Sequence, residues 1–150
     1  MRAVVQRCKN AKLYIDNKVF SSIDKGLLVL LGITHDDTQS DIEWLSGKIS
    51  RLRIFNDDEG KMNLSVQDIE GEIMVVSQFT LFASTKKGNR PSYLNSAPPE
   101  TAIPLYEKFI DQMKKDSGLN IATGKFGAYM QIDFINDGPV SIIIDSKNKE

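Results

Sequence analysis

The sequence predicts a mixed α/β domain, on three observations. Two runs of strand length, GLLVLLGI at 26–33 and IMVV at 73–76, are apolar on both faces, as central strands require. Two longer segments, 38–55 and 98–118, carry apolar residues at helical spacing. Shorter alternating or apolar stretches near both ends of the chain supply further strands.

The opening residues alternate: Ala3, Val5 and Arg7 point one way, Val4, Gln6 and Cys8 the other. A second run, 11–16, precedes Asn17-Lys18, a turn signal that predicts a hairpin into 19–23. Arg7 is odd in an otherwise apolar strand face. It either snorkels to solvent or holds something from the interior or from a partner. In the segment 38–55, Ile42, Leu45, Ile49 and Leu52 form one helical stripe, and Asp37 or Thr38 can cap its start. Residues 56–60, NDDEG, end it in a polar turn, and 61–66 lead on to Gly71. The second helix opens at Pro98-Pro99-Glu100, where proline is tolerated. Ile103, Tyr106, Ile110 and Met113 form its inner stripe, and Gly118 is the stop after Lys114-Lys115. Segments 121–123, 128–135 and 140–145 read as strands. Taken alone, Asn136-Asp137-Gly138-Pro139 reads as the hairpin connection between the last two. No repeat or linker interrupts the chain, so 1–150 is read as one domain.

Composition narrows the chemistry. A hydrophobic content of 41%, a charged content of 26% and a net charge of −1 describe an ordinary globule. They argue against bulk electrostatic coating of nucleic acid, but not against gripping an RNA end. No apolar run approaches the ~20 residues of a membrane span, and the start MRAVVQRCKN lacks a signal peptide's apolar segment. With Cys8 as the single cysteine, a reducing cytoplasm is the expected compartment. One cysteine and one histidine cannot supply a Cys/His zinc site, and no GxxxxGK[ST] or GxGxxG pattern cradles phosphate. His35 lies in the polar stretch THDDT and reads as a solvated loop residue rather than a catalytic base. An enzyme built from this chain works without metal or cofactor.

The informative stretch is EIMVVSQFTLF at 72–82. Its first half is a buried strand. Ser77, Gln78 and Thr80 then place hydroxyl and amide groups in a run that stays apolar around them, through Phe79, Leu81 and Phe82. Burying such groups unpaired costs roughly 1–3 kcal/mol each, so they either bond locally or face a ligand. The following loop, KKGNRPSY at 86–93, combines Lys86, Lys87 and Arg90 with Tyr93 and a proline bend. That combination suits phosphate contact and base stacking, although most such loops are only solvated.

Three motifs in order, SQFTLF at 77–82, KKGNRPSY at 86–93 and NDGPVS at 136–141, together resemble the D-aminoacyl-tRNA deacylases. The MRAVVQR start and the length fit as well, so the resemblance covers essentially the whole chain. One departure is Ser141, where the family usually has threonine; the hydroxyl is kept and a methyl lost. The resemblance implies β-sheets partly closed like a barrel with two α-helices packed outside, and a homodimer with active sites at the subunit interface. It implies a cis Gly138–Pro139 bond whose carbonyls enter the partner's site, accept from the substrate ammonium and occupy the space of an L side chain. Arg7 matches the arginine that fixes this loop. Ser77, Gln78, Phe79 and Thr80 match the catalytic segment, with N–H groups near Phe79 and Thr80 and the Ser77 hydroxyl as oxyanion donors. Thr80 has no base to make it a nucleophile, so the resemblance implies substrate-assisted hydrolysis of an aminoacyl-tRNA ester, with Thr80 in a positioning role. Glycine, having no side chain to clash, is implied as a further substrate, including glycine mischarged on tRNA(Ala). A sibling family that removes L-alanine from threonine tRNA carries PQAT where this chain has SQFT, so Ser77 and Phe79 favour the D-specific family. A reading of another class, a non-catalytic dimer that binds tRNA ends, leaves Ser77, Gln78 and Thr80 without work.

Overall fold

The computed structural model describes residues 1–150. Strand β1 (Arg2–Ile15) is the seam of the fold. Along one edge it pairs antiparallel with β3 (Gly26–Gly32) through its first half and with β2 (Lys18–Ile23) through its second. Along the other edge it pairs with β8 (Gln131–Asp145) over nearly its whole length. Next to β3 lie β6 (Glu72–Ser77) and then β7 (Ile121–Thr123), both parallel to it, giving the order β2-β1-β3-β6-β7. The register of β1 against β8 slips near Cys8 and again before Ala11. Such irregularities bend and twist a strand, and the sheet curls into a nearly closed, barrel-like arrangement. A separate two-stranded ribbon joins β4 (Phe55–Asn56) to β5 (Met62–Leu64).

Helices α1 (Gln39–Ser50) and α2 (Pro99–Ser117) cover one face. Period-2 and period-3.6 patterns meet there: Ala3, Val5, Leu27, Val29, Ile73 and Val75 from the sheet pack with Ile42, Leu45, Ile49, Tyr106, Phe109 and Met113 from the helices. Cys8, Leu13, Leu28, Met74 and Val76 form a smaller core on the opposite face, with Met130, Ile132 and Phe134 packed against it. Each fully buried Leu or Phe contributes about 1.5–3 kcal/mol.

The Asp41 carboxylate closes the first turn of α1 by accepting from the Thr38 N–H at 2.8 Å and the Thr38 hydroxyl at 3.0 Å. Gly118, at φ +67°, ends α2 and returns its N–H to the Lys114 carbonyl. Gly26 is required for another reason. A Cβ there would lie 1.8 Å from the Glu72 carbonyl oxygen and prevent β3 from pairing with β6.

Several sequence expectations need correction. The first helix stops at Ser50, not Phe55, because Phe55 pairs with Leu64 in the ribbon and the Ile54 carbonyl is bonded by Arg7. The first hairpin turns at Asp16-Asn17, one residue earlier than predicted, and both have positive φ as a two-residue hairpin loop demands. No hairpin forms at Asn136-Asp137-Gly138-Pro139: β8 runs through it as one strand, with Cys8 opposite Asn136 and Gln6 opposite Ser141. Residues 128–130 lie outside β8, in the loop that precedes it.

Candidate active site

The apolar run of β6 ends at Ser77, the last residue paired with β3. The Gln78 N–H still donates to the Leu31 carbonyl at 2.8 Å, and the chain then winds into a 3-10 turn, Phe79–Phe82. The first intrahelical donor is the Leu81 N–H, so those of Phe79 and Thr80 have no partner inside the turn. The turn sits this close to the sheet because β3 ends in Gly32. A Cβ at that position would stand 3.0 Å from Leu81 Cβ and 3.1 Å from the Gln78 carbonyl oxygen.

Four contacts fix the turn. The Ser96 hydroxyl donates to the Phe79 carbonyl at 2.7 Å, and the Tyr93 ring meets Phe79 edge to face at 5.0 Å. Arg2 Nη1 donates to the Leu81 carbonyl at 2.8 Å, while its guanidinium lies 4.8 Å from the Phe82 ring centroid. Arg2 is itself held by Asp145, through Nε at 3.0 Å and Nη2 at 2.9 Å. One layer below, the buried Tyr106 hydroxyl donates to the Val75 carbonyl at 2.8 Å. Burial pushes the Tyr106 phenol up to about 12, so it remains a donor at any working pH.

A cavity of 290 Å³ opens where the parallel strands β3 and β6 end. Leu31, Val76, Phe126, Met130 and Ile132 give it an apolar lining; Ser77, Gln78 and Phe79 border it on the side of the turn. No carboxylate, histidine, lysine, arginine or cysteine lines it. Thr80 is not part of the lining, and its hydroxyl oxygen accepts from Gln78 Nε2. His35 is exposed, with Nε2 2.9 Å from the Leu94 carbonyl.

The second predicted group lies elsewhere on the chain. Gly138 and Pro139 are exposed on β8, joined by a cis peptide, and do not line the cavity of their own chain. Arg7 is brought to them: its Nε donates to the Asp137 carbonyl at 2.9 Å and its Nη1 to the Ile54 carbonyl at 2.7 Å. Gly138 has φ +131°, and a Cβ there would stand 3.0 Å from Arg7 Nη2. Lys86, Lys87 and Arg90 are exposed in a loop closed at its base by Ser84 and Ser92, whose N–H groups each donate to the other's carbonyl.

The wall formed by Phe126, Gly127, Ala128, Tyr129 and Met130 is not among the residues that the sequence singles out. The available signal was the pair of glycines in TGKFGAYM. Gly127 has φ +78°, and a Cβ on Gly124 would lie 2.5 Å from Met130 Sδ.

In sequence the chain is similar to aminoacyl-tRNA deacylases. Two curated relatives named D-aminoacyl-tRNA deacylase match over the full length of both chains: one from Cytophaga hutchinsonii at 61% identity and one from Flavobacterium psychrophilum at 59%. A solved structure named c-Myc DNA Unwinding Element Binding Protein superposes with a TM-score of 0.90 at 44% identity, covering 97% of this chain and 98% of its own. A structure of a probable eukaryotic D-amino acid tRNA deacylase, 17% identical, shares the fold with a TM-score of 0.82 over 95% and 97% of the two chains. The chain belongs to the D-Tyr-tRNA(Tyr) deacylase family, whose model matches residues 4–145, and is thereby a hydrolase.

Proposed function

We propose that this chain hydrolyses the ester joining a D-amino acid to the 3′-terminal adenosine of tRNA, releasing both. The observation that carries this reading is the lining of the cavity: it is apolar, bordered by Ser77, Gln78 and an open turn of N–H groups, and it offers no general base. An aminoacyl ester is already activated. What the reaction needs is stabilisation of the developing oxyanion, for which one aimed donor is typically worth ~2.7–4 kcal/mol. The N–H groups of Phe79 and Thr80 and the Ser77 hydroxyl serve as those donors. The adenosine 2′-hydroxyl positions or activates the attacking water, and Gln78 and Thr80, bonded to each other, hold the segment in place.

Stereochemical choice comes from a second copy. Gly138 and Pro139 lie away from the cavity of their own chain, on an exposed bend of β8 held by Arg7. In a homodimer this bend enters the partner's cavity, where its carbonyls accept from the substrate ammonium and fill the space an L side chain needs. Ile143, 72% exposed on the same strand, gives such a contact an apolar surface to bury. Glycyl esters, including those on tRNA(Ala), pass the same gate. Lys86, Lys87 and Arg90 contact the tRNA phosphates. No helix is long and apolar enough to cross a membrane, and a tRNA substrate places the work in the cytoplasm.

Release of D-tyrosine from D-Tyr-tRNA by the purified chain tests the reading. Binding of charged and uncharged tRNA is measured alongside. Turnover is the expected result; equal binding of both tRNAs with no turnover would make the chain an RNA-end binder.

A further inference from the structure

Tyr129 is 84% exposed, yet it belongs to the wall of the cavity. Its neighbours Ala128 and Met130 also line that wall, and Met130 is packed against the sheet core. The bend that presents the ring is built in: Gly127 has φ +78°, and the Ala128 N–H donates to the Lys125 carbonyl at 3.1 Å. The result is a large flat ring standing in water at the rim of the cavity. Single exposed aromatics are ordinary on protein surfaces. This one shares its rim with Phe79, itself half exposed and braced by Tyr93, and it has exposed Lys125 in its own loop.

The cavity is small. At 290 Å³ it falls just below the ~300–1,000 Å³ typical of ligand sites. A terminal aminoacyl-adenosine leaves no room in it for the nucleotide before. That nucleotide must cross the rim. We propose that Tyr129 is a stacking platform for the base of the penultimate nucleotide of the tRNA 3′ end, an inference that rests on the deacylase reading above. Every base offers a π-face, so the contact adds affinity for the single-stranded end without selecting its sequence. Tyr129 reaches no reacting atom and acts as a binding residue only.

The test compares wild type, Tyr129→Ala and Tyr129→Phe on D-Tyr-tRNA and on D-tyrosyl-adenosine, which lacks the preceding nucleotide. Losing one stacked base raises KM for the tRNA substrate roughly 5- to 150-fold in Tyr129→Ala. The expectation is that kcat holds, Tyr129→Phe behaves as wild type, and Tyr129→Ala loses far less on D-tyrosyl-adenosine than on the tRNA substrate. Equal losses on both substrates, or no loss on either, overturn the proposal, as does a change of oligomeric state in Tyr129→Ala. If wild type cleaves neither ester, the deacylase reading itself falls. Binding of a short RNA ending in CCA then decides the stacking: weaker binding by Tyr129→Ala supports it, and unchanged binding refutes it.

Discussion

Arg7 Nε donates to the Asp137 carbonyl at 2.9 Å, joining the first strand of the chain to the bend that carries Gly138 and Pro139. Arg7 is 8% exposed, and its Nη1 also serves the Ile54 carbonyl. Arg7→Met removes a charged donor from the Asp137 carbonyl and the buried Ile54 carbonyl and is expected to lower stability by roughly 1.5–3 kcal/mol. Arg7→Lys keeps the charge but not the directed fork of donors, so discrimination between D and L esters should suffer more than stability. Urea unfolding and paired D/L hydrolysis assays check this; Arg7→Lys with wild-type discrimination contradicts it.

Gly32 sets how closely the 3-10 turn approaches the sheet. In Gly32→Ala the new Cβ meets Leu81 Cβ at 3.0 Å and the Gln78 carbonyl at 3.1 Å, so the turn must give by a few tenths of an ångström. A misplacement of 1 Å costs about 100-fold, and this smaller shift is expected to lower kcat about 10-fold. The stability cost of the added methyl is about 1–3 kcal/mol. Steady-state kinetics beside a thermal melt separates the two; unchanged kcat would mean that the turn's position does not matter.

Cys8 is fully buried in the smaller core, and desolvation pushes its thiol up to about 11. At pH 8 only about one molecule in a thousand carries the thiolate, the reactive form. An aromatic disulfide reagent is therefore expected to leave the native protein unlabelled and to react fully in denaturant. Rapid labelling of the folded chain contradicts this burial.

Asp41 and Asp37 give acid sensitivity of opposite sign. Burial alone would raise the Asp41 carboxyl, but bonds from Ser146, Lys147 and Thr38 outweigh it and hold the group well below the usual carboxylate range. Its ionised form therefore adds stability above the unfolded value of about 3.9, and that stability is lost as pH falls from there through the folded value. Asp37 moves the other way, because burial outweighs its bonds from the Met1 ammonium and the Thr34 N–H. Its ionised form weighs against folding, an effect relieved on acidification. The Asp41 contribution is isolated by comparing wild type with Asp41→Asn. The wild-type advantage measured by denaturant titration at pH 7 should shrink below about pH 4; a constant gap down to pH 2 contradicts it.

The sequence made legible those parts of the site that break a pattern. Ser77, Gln78 and Thr80 interrupt an apolar strand, and the structure places the end of β6 and a tight turn there. Arg7 interrupts an apolar strand face, and the structure gives it two backbone carbonyls to hold. The wall at 126–130 broke no pattern: alanine, tyrosine and methionine beside a strand read as its first residues, and only the flanking glycines signalled a loop. The hairpin signal NDGP misled because turn propensity is local. β1 pairs with β8 on both sides of it, up to Asn136 and again from Ser141, and so keeps the strand running past it. Thr80, read from the motif as a positioning residue, does not line the cavity, and its hydroxyl bonds to Gln78.

D-specific hydrolysis is measured as amino acid release from D-Tyr-tRNA and L-Tyr-tRNA at equal enzyme concentration, with Thr80→Ala alongside. Rapid loss of the D ester and an untouched L ester are expected. Residual D-specific activity is also expected in Thr80→Ala, since the proposed mechanism uses no side chain as nucleophile. Cleavage of both esters at similar rates would contradict the steric gate at Gly138 and Pro139, and complete loss of activity in a folded Thr80→Ala would contradict substrate-assisted hydrolysis.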